Sequence, residues 1–66
     1  MTNNLKVQRA IKDISQEELA RQIGVSRQTI NAMEKAKYVP STVLALKIAR
    51  FFGIRVEEIF TLEETD

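Results

Sequence analysis

The chain has 66 residues, enough for one domain. Cysteine and histidine are absent, which excludes disulfide staples, thiolate and imidazole metal sites, and the commonest general base. All ten Lys/Arg fall in residues 6–56 beside only four Asp/Glu, while residues 57–66 carry five carboxylates and no cation; the net charge of +1 thus conceals a basic body and an acidic tail, as suits one face laid on phosphate.

The first predicted helix runs from Leu5 to Lys12, between Asn3-Asn4 and Asp13. The second starts at Ser15, where Ser15 and Glu18 have the spacing of a capping box. Leu19, Ala20 and Ile23 share its inner side, and Gly24 ends it because glycine enters the left-handed conformation at no steric cost. Ser26 caps the third helix two residues later, with Ile30 and Met33 turned inward and Val25 plugging the corner. A loop through Lys37-Tyr38-Val39-Pro40 leads to Ser41, the cap of a fourth helix over Thr42 to Phe52. Leu44, Ile48, Phe51 and Phe52 are its apolar set, and Gly53 stops it. Arg55 to Phe60 reads as a last short helical turn with Val56, Ile59 and Phe60 inward. Phe60-Thr61-Leu62 alternates weakly and is a candidate partner strand for the N-terminal residues.

No apolar run approaches the ~20 residues of a membrane span. The N-terminus lacks the hydrophobic core of a signal peptide, so the expected location is the cytoplasm, with no membrane partner. Glu57-Glu58 and Glu63-Glu64 have no nucleophile or base beside them, and two isolated glycines make no phosphate-cradling loop. The expectation is therefore a non-enzyme with no cofactor, no metal and no small-molecule ligand.

Chemistry concentrates between Ser15 and Ala36. Two short helices joined by Gly24-Val25-Ser26 form a turn too tight for a long antiparallel hairpin, and the small Ala20 suits their crossing. The second of them keeps a polar outer face, and a helix of that width fits the DNA major groove. Arg27 can fork onto guanine, Gln28 can bond an adenine edge with both ends of its amide, Asn31 lies one turn on, and Ala32 suits a thymine methyl. Gln16, Thr29, Lys35, Lys37 and Tyr38 are the candidate phosphate contacts.

These residues carry a resemblance. Ser15-Gln16-Glu17-Glu18-Leu19-Ala20, then Gly24-Val25-Ser26-Arg27-Gln28-Thr29-Ile30, Glu34, Pro40-Ser41, Ala49 and Gly53-Ile54 resemble the Cro/repressor (XRE) type of helix-turn-helix regulator, and its small dimeric members in particular. The resemblance implies an all-α, compact five-helix lambda-repressor-like domain over residues 1–66, possessing in some members a two-stranded sheet from the chain ends. It implies an Arg9–Glu34 ion pair tying the first helix to the end of the third. It also implies a homodimer on double-stranded DNA that reads a two-fold operator and represses transcription. Phe52, Ile54, Val56, Ile59 and Phe60 are the candidate dimer residues. Two other roles fit the same fold: the antitoxin or controller half of a two-protein system, and a protein-interaction module. Four positions depart from the family pattern: Ala36 stands where glycine is usual, Gln8 where the first helix is usually apolar, and Val7 and Ile11 where it is usually polar.

Overall fold

Serines start three of the four helices of the computed structural model, which describes residues 1–66. Ser15, Ser26 and Ser41 each sit in extended backbone and accept a hydrogen bond from the amide three residues on, at 3.0, 3.1 and 3.2 Å. Each bond satisfies an amide that the helix start leaves free. The elements in chain order are strand β1 (Thr2–Asn3), helices α1 (Leu5–Lys12), α2 (Gln16–Ile23), α3 (Arg27–Glu34) and α4 (Thr42–Phe52), a 3-10 turn at Val56–Glu58, and strand β2 (Phe60–Thr61).

The all-α class and the small end-to-end sheet agree with the sequence reading. The fifth helix is corrected to a three-residue 3-10 turn. Arg55 and the turn it opens have too little room for an α-helical repeat before β2 must pair with β1. That antiparallel pairing sets Thr2 opposite Thr61 and Asn3 opposite Phe60. The Asn4 amide donates to Ile59 O at 3.0 Å, and the Asn3 side chain donates to Met33 O at 2.7 Å. The clasped chain ends are thereby tied to the end of α3.

All four helices end in the left-handed region. Gly24 (φ 85°) and Gly53 (φ 70°) reach it freely, whereas Asp13 (φ 55°) and Ala36 (φ 57°) carry a Cβ there. The amides of Ala36 and Lys37 donate to Met33 O and Ala32 O, each at 2.9 Å, the crossed pair that closes a Schellman ending. Ala36 therefore stops α3 where glycine would have done so without strain.

The core joins every helix. Leu5, Leu19, Ile30, Met33, Ile48 and Ile59 are its fully buried large side chains, with Ala20, Ile23, Leu44, Ala49 and Phe60 around them. Ala20 is only 3% exposed, which fits the small residue needed where α2 packs on α3. Val25 is half-buried against this cluster at the α2–α3 turn. No helix is long and apolar enough to cross a membrane.

Candidate nucleic-acid interface

Helix α3 is anchored from beneath and polar above. Ile30 and Met33 are completely buried, while Arg27 and Gln28 are exposed on the opposite side, and no side-chain hydrogen bond ties either to its own protomer. Together with Gln16, Ser26 and Asn31 they line an open concavity that has no apolar residue in its wall. Ala32 is half-buried one position beyond Asn31. Lys35, Lys37 and Tyr38 lie exposed beyond the end of α3. Thr29 is half-buried, its hydroxyl 2.9 Å from the Ser26 hydroxyl, so part of its bonding capacity serves the cap.

A charged network braces the helix from behind. Arg9 Nε and Nη2 donate to the two oxygens of Glu34 at 2.6 and 3.1 Å, and Arg9 Nη1 donates to Ile14 O at 2.9 Å. The Glu34 side chain is only 6% exposed. Burial pushes its carboxyl up, but the hydrogen bonds from Arg9 and Gln16 and the charges of Arg9 and Lys6 outweigh this and hold it below the usual carboxylate range. The same hydrogen bond to Glu34 raises the pKa of Arg9. Glu34 thus occupies a position on the recognition helix yet turns its charge inward, which removes the one negative group from the outer face.

Gln16 is part of that network. Its Nε2 donates to Glu34 Oε1 at 3.0 Å and to Asn31 Oδ1 at 3.2 Å. Both amide hydrogens are engaged inside the protomer, so the side chain would reach a phosphate only by giving up one of these bonds. Asn31 is half-buried, with its oxygen taken by Gln16. No local pattern betrays this linkage, because Gln16 and Asn31 stand on different helices and only the α2–α3 packing joins them.

The expected dimer residues divide. Ile59 (1% exposed) and Phe60 (8%) pack into the protomer's own core, and Phe60 also borders an apolar groove beside α4. Phe52, Ile54 and Val56 are half-buried against that core. Around α4 the exposed large apolar side chains are Val39, Val43 and Leu46, at 64, 63 and 55%. Val39 and Leu46 border that groove with Pro40, Ala45 and two of the expected dimer residues, Val56 and Phe60. Val43 and Leu46 recur at i, i+3, a second stripe on α4 that a search for the core stripe alone passes over. On α1, Val7 and Ile11 are also exposed, while the Lys12 ammonium lies 5.2 Å from the centre of the Phe51 ring.

Comparison with known proteins agrees with this architecture. A helix-turn-helix family profile matches residues 5–59. An uncharacterized HTH-type transcriptional regulator of Methanocaldococcus jannaschii is 54% identical over 66 residues, all of both chains. A second such regulator, from Bacillus subtilis, is 50% identical over 64 residues, 97% of each chain. Among solved structures, the restriction-modification controller protein C.AhdI from Aeromonas hydrophila superposes with a TM-score of 0.76 at 34% identity, over 85% of this chain and 81% of that one. The chain belongs to the helix-turn-helix family, in its Cro/repressor (XRE) branch of DNA-binding transcription regulators.

Proposed function

We propose that the protein binds a two-fold operator as a homodimer, each protomer inserting α3 into one major groove and thereby repressing transcription from the occupied site. The observation that carries this reading is the polar, unengaged outer face of α3 held on a helix whose other side is fully buried. A rigid helix with free Arg and Gln side chains has the chemistry to meet base edges. Arg27, Gln28, Asn31 and Ala32 are the base-reading set. Lys35, Lys37, Tyr38 and the Thr29 hydroxyl are the backbone-gripping set, which fixes register without reading sequence. The reading requires no cofactor and no catalysis, and it places the protein with the DNA in the cytoplasm.

A single α3 makes too few base contacts for useful specificity, so two linked copies on half-sites about one DNA turn apart, ~34 Å, supply affinity through effective concentration. The apolar groove of Val39, Leu46 and Val56 is the surface we assign to the second copy. It shares no residue with the polar concavity of α3, so both are open to occupation at once. The structural likeness to C.AhdI, a restriction-modification controller protein, favours a second reading of the same chemistry, the controller of a two-protein system.

Selection of bound fragments from sheared genomic DNA tests the proposal. The expected product is an inverted repeat with half-site centres about 10–10.5 base pairs apart or a multiple of this. Fragments with no shared motif, bound with equal affinity at low salt, would overturn it.

A further inference from the structure

Helix α4 carries a second surface beside its groove. Val43, Leu46, Lys47 and Arg50 line one open depression, and Lys47 and Arg50 continue into another with Gln22, Ile23 and Phe51. The Lys12 ammonium stands at its edge, 5.2 Å from the centre of the Phe51 ring. Lys12, Lys47 and Arg50 are exposed, and none is in an ion pair. No carboxylate lines either depression. The patch therefore has an apolar floor and a rim of uncompensated cations, and it shares no residue with the concavity of α3. Phosphate would match the rim but not Val43 and Leu46, whereas an acidic segment bearing an apolar side chain matches both.

Such a segment lies in the same chain. Leu62 is the most exposed of the large apolar side chains, at 77%, and Glu63, Glu64 and Asp66 follow it with no cation among them. In its own protomer the N-terminal ammonium holds Glu63 and Asp66 at 2.9 and 2.6 Å, while Leu62 stays in solvent and Glu64 has no ion-pair partner. Position links tail and patch. Phe60 borders the α4 groove, and Leu62 is two residues on, about 7 Å of extended chain. Leu46 borders both groove and patch, and Arg50 lies one turn beyond it, about 6 Å along the helix. A second copy seated over the groove thus brings its own patch close to where the tail departs.

We propose that the acidic tail of each copy, Leu62 to Asp66, docks on the α4 patch of the other, Leu62 against Val43 and Leu46 and the carboxylates against Lys47 and Arg50. This deepens the homodimer reading and rests on it. The two contacts are equivalent across a two-fold axis, so they close the pair and leave no open end for further copies. They also set its orientation, because patch against patch or tail against tail would oppose like charges.

Sedimentation equilibrium of the full chain over a range of salt tests this. Lys47→Glu/Arg50→Glu should raise the dimer dissociation constant about tenfold or more at low salt. The gap should close near 1 M salt, where the screening length falls to about 3 Å. Adding Glu63→Lys/Glu64→Lys to the same chain exchanges the two signs and should bring the constant back to within about threefold of the wild type. Asp66 remains in that chain to hold the N-terminal ammonium. Leu62→Ser should weaken the dimer at every salt concentration, since its share is apolar. A weakened dimer that the tail reversal does not restore would overturn the inference, since the patch would then face another group. Wild-type species larger than a dimer that vanish on charge reversal would move the contact between dimers and overturn the reciprocal arrangement. The slope of log operator affinity against log salt should be the same for wild type and Lys47→Glu/Arg50→Glu; a slope lowered by about one per cation would assign the patch to DNA instead. Dimers unmoved by every one of these variants yet broken by Leu46→Lys would sink the docking alone, whereas a wild type that never dimerises would sink the homodimer reading with it.

Discussion

Gln28 and Lys35 lie on or just beyond one helix and are both exposed, yet the chemistry assigned to them differs in kind. A two-ended amide on a base edge discriminates between sequences; an ammonium on phosphate does not. Gln28→Ala should cost roughly 1–3 kcal/mol on the selected operator and blur one base position. Lys35→Ala should weaken specific and random duplexes alike and flatten the salt slope by about one unit. Fluorescence anisotropy titrations on both duplex types at several salt concentrations distinguish the two, and equal behaviour of the two variants would refute the assignment. Glu34 gives a prediction in pH. Its carboxyl titrates below the ordinary 4.5 in the folded chain, so on acidification the unfolded chain takes up the proton first. The stability this charge contributes is complete above that value and is lost as pH falls through the folded-state pKa. The difference in urea midpoint between wild type and Glu34→Gln should therefore be largest near neutrality and shrink below pH 4.5. A difference that stays constant into acid would contradict the charged clamp. Taking the difference between the two proteins cancels the contributions of Glu18, Glu57 and Asp66, whose carboxyls also titrate low.

Among the elements, α3 is the one with a strained ending. Ala36 at φ 57° holds a Cβ in a conformation that costs an L-residue roughly 1–2 kcal/mol, partly offset by the greater freedom glycine has in the unfolded chain. Ala36→Gly should raise stability by about 1 kcal/mol, seen as a melting temperature about 4–8 °C higher for a domain of this size. A lower melting temperature would show that the methyl group contributes packing that outweighs the strain. This ending also marks the limit of what was legible. Ser15, Ser26, Ser41, Gly24 and Gly53 announce helix boundaries because capping and glycine endings are local chemistry. Asp13 also marks a boundary, but Ala36 announces nothing, since alanine has no local preference for the left-handed conformation it adopts. The outer face of α3 was readable from periodicity, Ile30 and Met33 in, Arg27 and Gln28 out. The bond from Gln16 to Asn31 was not, because it exists only once α2 lies across α3. The inward placement of Ile59 and Phe60 was readable from the sequence pattern, and both join the protomer's own core.

For the molecule as a whole, the decisive question is whether two copies meet through the groove beside α4. Leu46 is 55% exposed there, outside the buried core, so a polar replacement should leave the fold intact. Leu46→Lys would set two like charges in or near a two-fold contact. It should shift sedimentation from dimer to monomer at concentrations where the wild type is dimeric, and reduce operator affinity at least tenfold with the circular dichroism spectrum unchanged. A variant that remains dimeric would place the contact elsewhere, with the exposed Val7–Ile11 stripe of α1 the next surface to probe.

The clasp of β1 on β2 joins residues almost sixty positions apart, Thr2 to Thr61 and Asn3 to Phe60. Closing so long a loop is entropically slow, whereas α2 and α3 meet through neighbours in the chain. The helical pair is thus the natural nucleus, and the knot of chain ends is tied last. Weakening it, for instance by Thr61→Gly, should hasten unfolding in stopped-flow experiments and leave the refolding rate almost untouched. A matching drop in the refolding rate would mean that the ends already meet in the transition state. The reading helix would then take shape early, with the seal that ties its far end to the termini arriving afterwards as a latch.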